Sequence, residues 1–354
     1  MDGESPRRKI IYLSFWYRGV QLNVKPLRKI QSVSLAATLA DMILSRFTVG
    51  HVKHHLDMIH SMVSNGNLQE GMEELMCYLW EAKSHMAHEQ WTQFCEQIIL
   101  CHPLTKIIHE DPFSRHAYKQ PRGYPGDPEL LDYIYDGSLA RLPRGTSSIG
   151  KALFKSNIQA PSCRAVRARM RLIRRKIDTL AENMKPRILS VACGHLRELD
   201  GSNALKSGRI KEFLALDQDS QAVQRCQREF GQYGVRVLCK AICWLLLNKK
   251  QFGEFDLIYA SGLYDYLSDR LAIKLTRHLF NMLSPGGSLL IPNFRPRILG
   301  WGYMEAFMRW YLIYRDYNDM RRLWDGINSH HVADMQLWEE PNGNIIFLEI
   351  QRKD

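Results

Sequence analysis

A glycine and an aspartate 23 positions apart are the residues of this sequence best suited to hold a ligand. Gly194 directly follows the β-prone run RILSVAC (187–193), and Asp217 ends the next such run. Glycine lets the backbone approach a ligand closely, and a carboxylate can accept hydrogen bonds from both hydroxyls of a ribose. A complete GxGxxG pattern is absent, because no second glycine follows Gly194 in the turn. The pair therefore predicts a nucleoside site without the pyrophosphate-binding amides that a dinucleotide needs.

Five β-prone runs in the C-terminal half must bring these two residues together. Helix-like segments separate the runs, and this alternation predicts a parallel sheet with right-handed crossovers. The runs are Arg187–Cys193, Phe213–Asp217, Val235–Leu238, Phe255–Ala260 and Gly287–Pro292, the last after a predicted turn at Pro285-Gly286-Gly287. Two later runs, near 331–339 and 344–351, are joined by a Pro-Asn-Gly-Asn turn typical of a hairpin. We predict an α/β fold with a Rossmann-like, seven-stranded, mostly parallel sheet that ends in an antiparallel C-terminal hairpin.

The first 184 residues have a different pattern, which predicts a helical N-terminal cap domain. Apolar residues recur there at helical spacing, and the prolines between 103 and 128 indicate an irregular stretch without long helices. At 354 residues the chain is long enough for two domains. We assign 1–30 to a tail, either disordered or the result of a misplaced start codon. We assign 31–184 to a helical cap or lid with a PRGYPGD loop, and 185–354 to the Rossmann-like domain.

Composition excludes several other classes of protein. Hydrophobic residues make up 45% of the chain and charged residues 24%, as in ordinary globular proteins. No apolar run approaches the roughly 20 residues of a membrane-spanning helix, so we expect no membrane span. The eight cysteines include no CxxC pair, and Cys239 and Cys243 lack the further ligands of a zinc site. We expect no metal, reduced thiols and a cytoplasmic location.

The net charge of +11 is concentrated partly in an arginine-rich segment, 164–176. Apolar residues at helical spacing, including Val166, Met170 and Ile173, predict that one stripe of this segment faces a core and that the arginines spread around it. The arginines allow two interpretations. In the first they form a solvated helix face, and in the second they bind an anionic partner such as an acidic carrier protein, a nucleotide or an acyl phosphate.

Several longer strings carry a specific resemblance. The order of the segments that follow the strands is similar to that of class I S-adenosylmethionine (SAM)-dependent methyltransferases. Within that class, residues of roughly 110–350 resemble the bacterial family that includes the 3-hydroxypalmitic acid methyl ester synthases. The strings are PRGYPGD (121–127), QAP (159–161) followed by AVRAR (165–169), GLYDYL (262–267), PNFRP (292–296) and WYLIYR (310–315). Two departures are Arg295, where related sequences often have histidine, and the missing second glycine of the turn.

The resemblance implies SAM as the cofactor and assigns residues to it. Asp217 would bind the ribose, Ala241 and Ile242 would cover the adenine, and the segment 261–263 would contact the sulfonium end. Tyr124 would either fold over the sulfonium by a cation–π contact or belong to a tight Gly/Pro turn. The full predicted set is Tyr124, Gly126, Cys193, Gly194, Asp217, Gln218, Ala241, Ile242, Ser261, Gly262 and Leu263.

The implied reaction is O-methylation of the carboxylate of a small or fatty hydroxy acid. A carboxylate is already ionised at pH 7 and needs a cation or a hydroxyl group to orient it, rather than a base. We predict that Arg295 orients the acid and that Tyr264 or Tyr314 donates to it, with Arg315 nearby at the same edge of the sheet. Each arginine has a structural salt bridge as its alternative. His195 is either a base or a turn residue that lines the cofactor pocket.

Three other functions stay open at this point. SAM's own amine could be the nucleophile, which would close an azetidine ring (azetidine-2-carboxylate) and release methylthioadenosine. A nucleic-acid methyltransferase fits the pI of about 9.2, but Ser261-Gly262-Leu263-Tyr264 replaces the Asn/Asp-Pro-Pro-aromatic motif after the fourth strand, so we expect no nucleic-acid partner. The third is a non-catalytic binding module on the same fold. The sequence leaves the oligomeric state undecided.

Overall fold

The computed structural model describes residues 14–17, 20–23, 49–247 and 252–354. The chain divides into two units, residues 1–48 and the compact unit Val49–Asp354. In the first unit, β1 (Ser14–Tyr17) and β2 (Val20–Asn23) pair antiparallel, inside the segment where we expected a tail. The rest of that predicted tail and residues 31–48 of the predicted cap lie outside the described residues.

The second unit begins with helices, as the apolar spacing predicts. They are α1 (Val49–Ser64), α2 (Leu68–His85), α3 (His88–Phe94), α4 (Leu104–Ile108), α5 (Pro112–Lys119), α6 (Pro128–Asp136), α7 (Ser148–Ile158) and α8 (Pro161–Asn183). A π-helical turn, Cys95–Ile99, extends α3. The helices within the proline-rich stretch are short, and α5 and α6 each begin with a proline after an aspartate that caps the helix.

The sheet forms from the predicted runs. Its strands are β3 (Arg187–Val191), β4 (Glu212–Asp217), β5 (Val235–Cys239), β6 (Phe255–Tyr259), β7 (Leu283–Phe294), β8 (Val332–Glu339) and β9 (Ile345–Arg352). Their order is β5-β4-β3-β6-β7-β9-β8. Strands β3 to β7 pair in parallel, and β9 pairs antiparallel with both β7 and β8. This confirms the predicted Rossmann-like sheet and its C-terminal hairpin.

Short helices connect the strands. They are α9 (Asn203–Lys206), α10 (Ser220–Phe230), α11 (Ile242–Leu247), α12 (Asp269–Phe280), α13 (Trp301–Met308) and α14 (Tyr317–Arg322). Single 3-10 turns lie at Leu139–Arg141, Arg197–Leu199, Gly231–Tyr233, Tyr264–Tyr266 and Ser329–His331. None of the helices in the described ranges is long and apolar enough to cross a membrane.

One local prediction differs from the structure. The residues Pro285-Gly286-Gly287 do not form a turn before the strand but a bulge within β7, where pairing with β6 jumps from Phe255↔Leu283 to Leu257↔Ser288. A side chain at Gly287 would lie 2.8 Å from the carbonyl oxygen of Phe255, so only glycine fits this close approach.

Apolar packing joins the sheet to its helices and the cap to the segment after β7. Alternate residues of the strands, such as Leu189 and Val191 of β3, share one buried cluster with Leu275 and Leu279 of α12. On the cap side, α13 approaches α2 so closely that a side chain at Gly302 would lie 2.6 Å from a main-chain carbonyl oxygen. The described cap helices and the sheet therefore belong to one compact unit.

Candidate functional site

A cavity of about 590 Å³ opens where β3, β4, β5 and β6 end. This volume is typical of sites for small ligands, and the carboxyl edge of a parallel sheet is where α/β proteins bind them. Every residue predicted to bind the cofactor lines this cavity: Tyr124, Gly126, Cys193, Gly194, Asp217, Gln218, Ala241, Ile242, Ser261, Gly262 and Leu263. The fold therefore brings the whole predicted set together, and the individual roles in binding stay predictions.

The turn after β3 contains more left-handed backbone than its sequence suggests. Ala192, Gly194 and Leu196 have φ angles of 54°, 55° and 52°. Glycine adopts this conformation freely, whereas other L-residues are destabilised by about 1–2 kcal/mol. Leu196 is also buried, at 1% exposure. Backbone strain at a cavity wall is typical of a binding site. The sequence, with its single glycine in this turn, did not predict that strain.

Asp217 is held in place by the main chain. One carboxylate oxygen accepts the amide hydrogen of Gly194 (2.8 Å), and the other accepts that of Asp219 (2.9 Å). Burial raises the pKa of Asp217 above its ordinary value, and the amide donors oppose this shift. An ionised carboxylate has about four acceptor positions, so both oxygens can still accept a ligand hydroxyl. We call the part of the cavity bounded by residues 192–196 and Asp217 the Asp217 pocket.

The PRGYPGD loop forms another wall of this cavity. Arg122 is ion-paired with Asp219, just beyond β4, and with Glu129 at 2.7 Å. A side chain at Gly126 would overlap the hydroxyl of Tyr266, which accepts a hydrogen bond from the Trp310 indole at 2.8 Å. The loop is therefore fixed both to the end of β4 and to the segments that follow β6 and α13.

His195 is the one predicted catalytic residue that lines the cavity. Its Nδ1 lies 3.1 Å from the Asp132 carboxylate, which also pairs with Arg197 at 2.7 Å and with Arg141 and Arg225. Burial opposes ionisation of Asp132, but hydrogen bonds from His195 and Arg197 outweigh it and hold the pKa of Asp132 well below its ordinary value. His195 Nε2 is buried and has no hydrogen-bond partner among the residues that the structure describes.

The two arginines predicted to orient the acceptor lie elsewhere. Arg295 lines a separate surface depression and pairs with Glu339 at 2.9 Å, and its side chain is 45% exposed. Arg315 is fully buried and donates to the carbonyl oxygens of Tyr264 (2.7 Å) and Leu267 (2.6 Å). Both arginines follow β7 along the chain, but their side chains form ion pairs and hydrogen bonds with other protein groups. Each arginine therefore has the structural salt bridge that the sequence analysis gave as its alternative role.

The two predicted hydroxyl donors are also outside the cavity. Tyr264 is fully buried, and its hydroxyl is 3.0 Å from that of Thr276 in α12. Tyr314 packs edge-on against Trp301, with 5.9 Å between ring centroids. Tyr264 is therefore packed into the core and Tyr314 is half-buried, and neither residue lines the cavity.

Three charged residues lie at the β6 side of the site, and the sequence analysis indicated no role for two of them, Arg169 and Glu198. Arg169 and Glu198 line the cavity and are 3% and 4% exposed. Asp265 lies behind Arg169, with 3.8 Å between its Oδ2 and Arg169 Nη1. We call Arg169, Glu198 and Asp265 the charged cluster. Spacing offered one signal, because Arg169 lies between the buried Val166 and Ile173 on the core-facing side of α8.

Burial sets the protonation of the two acids in the charged cluster. It raises the pKa of Glu198, against a hydrogen bond that Tyr259 donates to the carboxylate at 2.6 Å. It also raises the pKa of Asp265 to about 6, opposed by the charge of Arg169 and by the amide of Phe294 at 2.8 Å. Arg169 therefore lies beside two carboxyl groups that favour the neutral form more than exposed acids do.

No protein-family model matches the sequence, and comparison with curated proteins gives no match. Among solved structures, the chain is similar to a "possible exported protein" from Bordetella parapertussis, with a TM-score of 0.53, 13% identity, and coverage of 77% of this chain and 99% of that one.

Two more distant solved structures are methyltransferases. Magnesium protoporphyrin IX methyltransferase from Synechocystis, with bound SAM, has a TM-score of 0.38 and 11% identity and covers 64% of this chain and 98% of that one. An N-methyltransferase from Bradyrhizobium japonicum, in complex with S-adenosylhomocysteine, has a TM-score of 0.38 and 14% identity. The match covers 53% of this chain and 88% of that one. At these identities a likeness concerns the fold alone, and the fold shared with the Bordetella protein is what the comparisons establish.

Proposed function

We propose that this protein is a SAM-dependent methyltransferase that acts on a small-molecule acceptor. The observation that carries the proposal is the single cavity at the carboxyl edge of β3 to β6, where the glycine turn and Asp217 are joined by a 2.8 Å hydrogen bond. The sequence predicted a nucleoside site from these two residues, and their proximity at the edge of the sheet supports that prediction.

The Asp217 pocket fits the nucleoside part of SAM. Both oxygens of Asp217 retain acceptor capacity for the ribose hydroxyls. Ala241, Ile242 and Leu245 line the same cavity and offer an apolar surface for the adenine. The turn at 192–196 lines the same cavity with a single glycine, and it needs no pyrophosphate site because SAM has no phosphate.

The other walls position the reacting groups. When bound, SAM supplies a methyl group on a positively charged sulfur, which a nucleophile displaces. Residues 261–263 and Tyr124 line the cavity where that sulfonium end is expected. The PRGYPGD loop, fixed by Arg122, helps to exclude water from it. Correct orientation and exclusion of water together account for several kcal/mol of rate acceleration, within the roughly 7–11 kcal/mol that positioning can supply.

For the acceptor we propose the carboxylate of a small or fatty hydroxy acid, which is the substrate class that the family resemblance implies. Such a nucleophile is ionised at pH 7 and requires no base, so His195 would serve to shape the cavity wall beside Gly194. Its hydrogen bond to Asp132 fixes the ring in place. Neither Arg295 nor Arg315 lines the cavity, and both are paired with protein groups elsewhere.

Product analysis by mass spectrometry tests the function. Purified protein is incubated with SAM and a panel of short- and long-chain 3-hydroxy acids, beside an Asp217→Ala variant. We expect S-adenosylhomocysteine and a methyl ester, both dependent on the acid and both absent with the variant. Methylthioadenosine without an acceptor would instead identify the ring-closing reaction on SAM itself. Lack of any nucleoside product and of any SAM binding would contradict the proposal and favour a non-catalytic module.

A further inference from the structure

Arg169 is a buried cation that has no carboxylate within hydrogen-bonding distance among the described residues. It is 3% exposed, and its Nε and Nη1 have no hydrogen-bond acceptor in the part of the chain that the structure describes. The nearest carboxylate oxygen, Oδ2 of Asp265, is 3.8 Å from Nη1, beyond hydrogen-bonding distance. Removing a charge from water is unfavourable unless hydrogen bonds and counter-charges replace the water, and an anionic ligand in the cavity would supply both to Arg169.

The protein itself offers little to neutralise this charge. Oδ1 of Asp265 is occupied by the amide of Phe294, and Oε1 of Glu198 accepts from the Tyr259 hydroxyl. Burial moreover raises the pKa of both acids, that of Asp265 to about 6. The carboxylates nearest to Arg169 thus compensate its charge only in part, and Arg169 lines the cavity beside Tyr135, with which it is hydrogen-bonded.

The position of Arg169 is suited to an acceptor. A side chain at Gly262 would lie 3.5 Å from Arg169 Nη2, so the guanidinium packs against the segment 261–263 at the end of β6. That segment is where the sulfonium end of the cofactor is expected. SAM carries a net positive charge, with an ammonium and a sulfonium beside its single carboxylate. Its entry therefore adds to the positive charge in the cavity and increases the preference for an anionic second ligand.

We propose that Arg169 binds the carboxylate of the acceptor and thereby selects carboxylic acids as substrates. A planar guanidinium matches a carboxylate with two parallel hydrogen bonds, which fixes the orientation of the acid as well as its affinity. The inference rests on the proposed function, because it places the acid next to bound SAM. It replaces Arg295 with Arg169 as the residue that selects the acceptor.

The test compares an acid with its uncharged ester. Calorimetry measures binding of 3-hydroxyoctanoate and of methyl 3-hydroxyoctanoate to the wild-type protein, with and without saturating S-adenosylhomocysteine. We expect the acid to bind at least tenfold more tightly than the ester. In Arg169→Gln, the acid should lose at least tenfold in affinity while the ester is unchanged. Arg169→Lys, which keeps the charge without the planar fork, should lie in between. Arg295→Ala, the matched exposed arginine, should behave as wild type.

A second comparison distinguishes the acceptor's carboxylate from that of the cofactor. Methylthioadenosine lacks the amino-acid part of S-adenosylhomocysteine. If Arg169→Gln weakens S-adenosylhomocysteine by tenfold or more and leaves methylthioadenosine unchanged, Arg169 binds the cofactor carboxylate and the proposal is overturned. Equal binding of acid and ester to the wild type, or no binding of the acid, also overturns it, whether or not the variants fold. Lack of S-adenosylhomocysteine binding to the wild type would instead sink the proposed function.

Discussion

The two ends of the cavity are constructed from different parts of the polypeptide. In the Asp217 pocket, main-chain amides of residues close to the strand ends hold the ligand-facing carboxylate. In the charged cluster, side chains from α8, from the turn after β3 and from the turn after β6 meet although they are far apart in sequence. At the first end, main-chain amides stabilise the carboxylate, whereas the second end contains a cation that the protein only partly compensates. Substitution and pH should therefore affect the two ends differently.

Asp132 offers the largest effect, because this buried carboxylate pairs with His195 of the cavity wall and with three arginines. Asp132→Asn removes a buried anion from several cations, and we expect the free energy of unfolding to fall by roughly 3 kcal/mol. Chemical denaturation measures this. Asp136→Asn, one turn later in α6 and more exposed, is the matched control and should cost well under 1 kcal/mol.

The effect of Asp132→Asn on stability should depend on pH in a defined way. The pKa of Asp132 is lowered in the folded protein, so the stability it contributes is present above the ordinary aspartate pKa of about 4 and is lost as the pH falls further. The difference in free energy of unfolding between wild type and Asp132→Asn should be constant between pH 5 and 8, and it should become smaller only below about pH 4. A difference that narrows already between pH 7 and 5 would contradict this account of Asp132.

Loosening the PRGYPGD loop should affect the Asp217 pocket selectively. Arg122→Ala breaks the ion pairs to Asp219 and Glu129, and we expect affinity for S-adenosylhomocysteine to fall about tenfold, or about 1.4 kcal/mol. Arg144→Ala, an exposed arginine of the cap, is the control in the same titration. If both variants bind as the wild type does, the loop is not a functional wall of the pocket.

The charged cluster should respond to pH near neutrality. Asp265 has a pKa of about 6, so its negative charge appears next to Arg169 as the pH rises through 6. Glu198 and Tyr135, the other titratable groups beside the guanidinium, have raised pKa values. Affinity for 3-hydroxyoctanoate should therefore fall between pH 5.5 and 7.5, by up to about tenfold.

Asp265→Asn provides the matching control. It removes the titrating carboxyl group and keeps an acceptor oxygen for the amide of Phe294. The pH profile of acid binding in this variant should be flatter than in the wild type. A profile of unchanged steepness would assign the pH dependence to another group.

The smallest effect concerns backbone strain in the glycine turn. Ala192→Gly relieves a left-handed alanine, and we expect a gain of about 0.5–1 kcal/mol in stability with no loss of S-adenosylhomocysteine binding. Leu196→Gly relieves the same strain but removes a buried side chain, and should be net destabilising by about 1–2 kcal/mol. Thermal unfolding distinguishes the two. Destabilisation by Ala192→Gly would show that the turn is not strained.

The sequence predicted the Asp217 pocket because its geometry is local. A residue at the end of a parallel strand faces the same edge as its neighbours, so Gly194 and Asp217 could be paired from their positions alone. The sequence could not show that Ala192 and Leu196 adopt glycine-like φ angles. That conformation depends on packing around the turn, and neither residue type indicates it.

The charged cluster was beyond prediction for a different reason. Arg295 and Arg315 follow a strand at the correct edge, but strand position does not reveal the direction of a side chain or its partners. Arg169 belongs to the helix before β3, and only the packing of α8 beside the end of β6 places it in the cavity. Residues joined by tertiary contacts alone leave little trace in the spacing of motifs.

The most direct test of the account is a calorimetric titration of S-adenosylhomocysteine into the wild-type protein and into Asp217→Ala, with the exposed Asp334→Asn as control. We expect one site per chain in the wild type and in the control, and at least a hundredfold weaker binding, about 2.8 kcal/mol, in Asp217→Ala. Absence of binding to the wild type, or undiminished binding to Asp217→Ala, would contradict it.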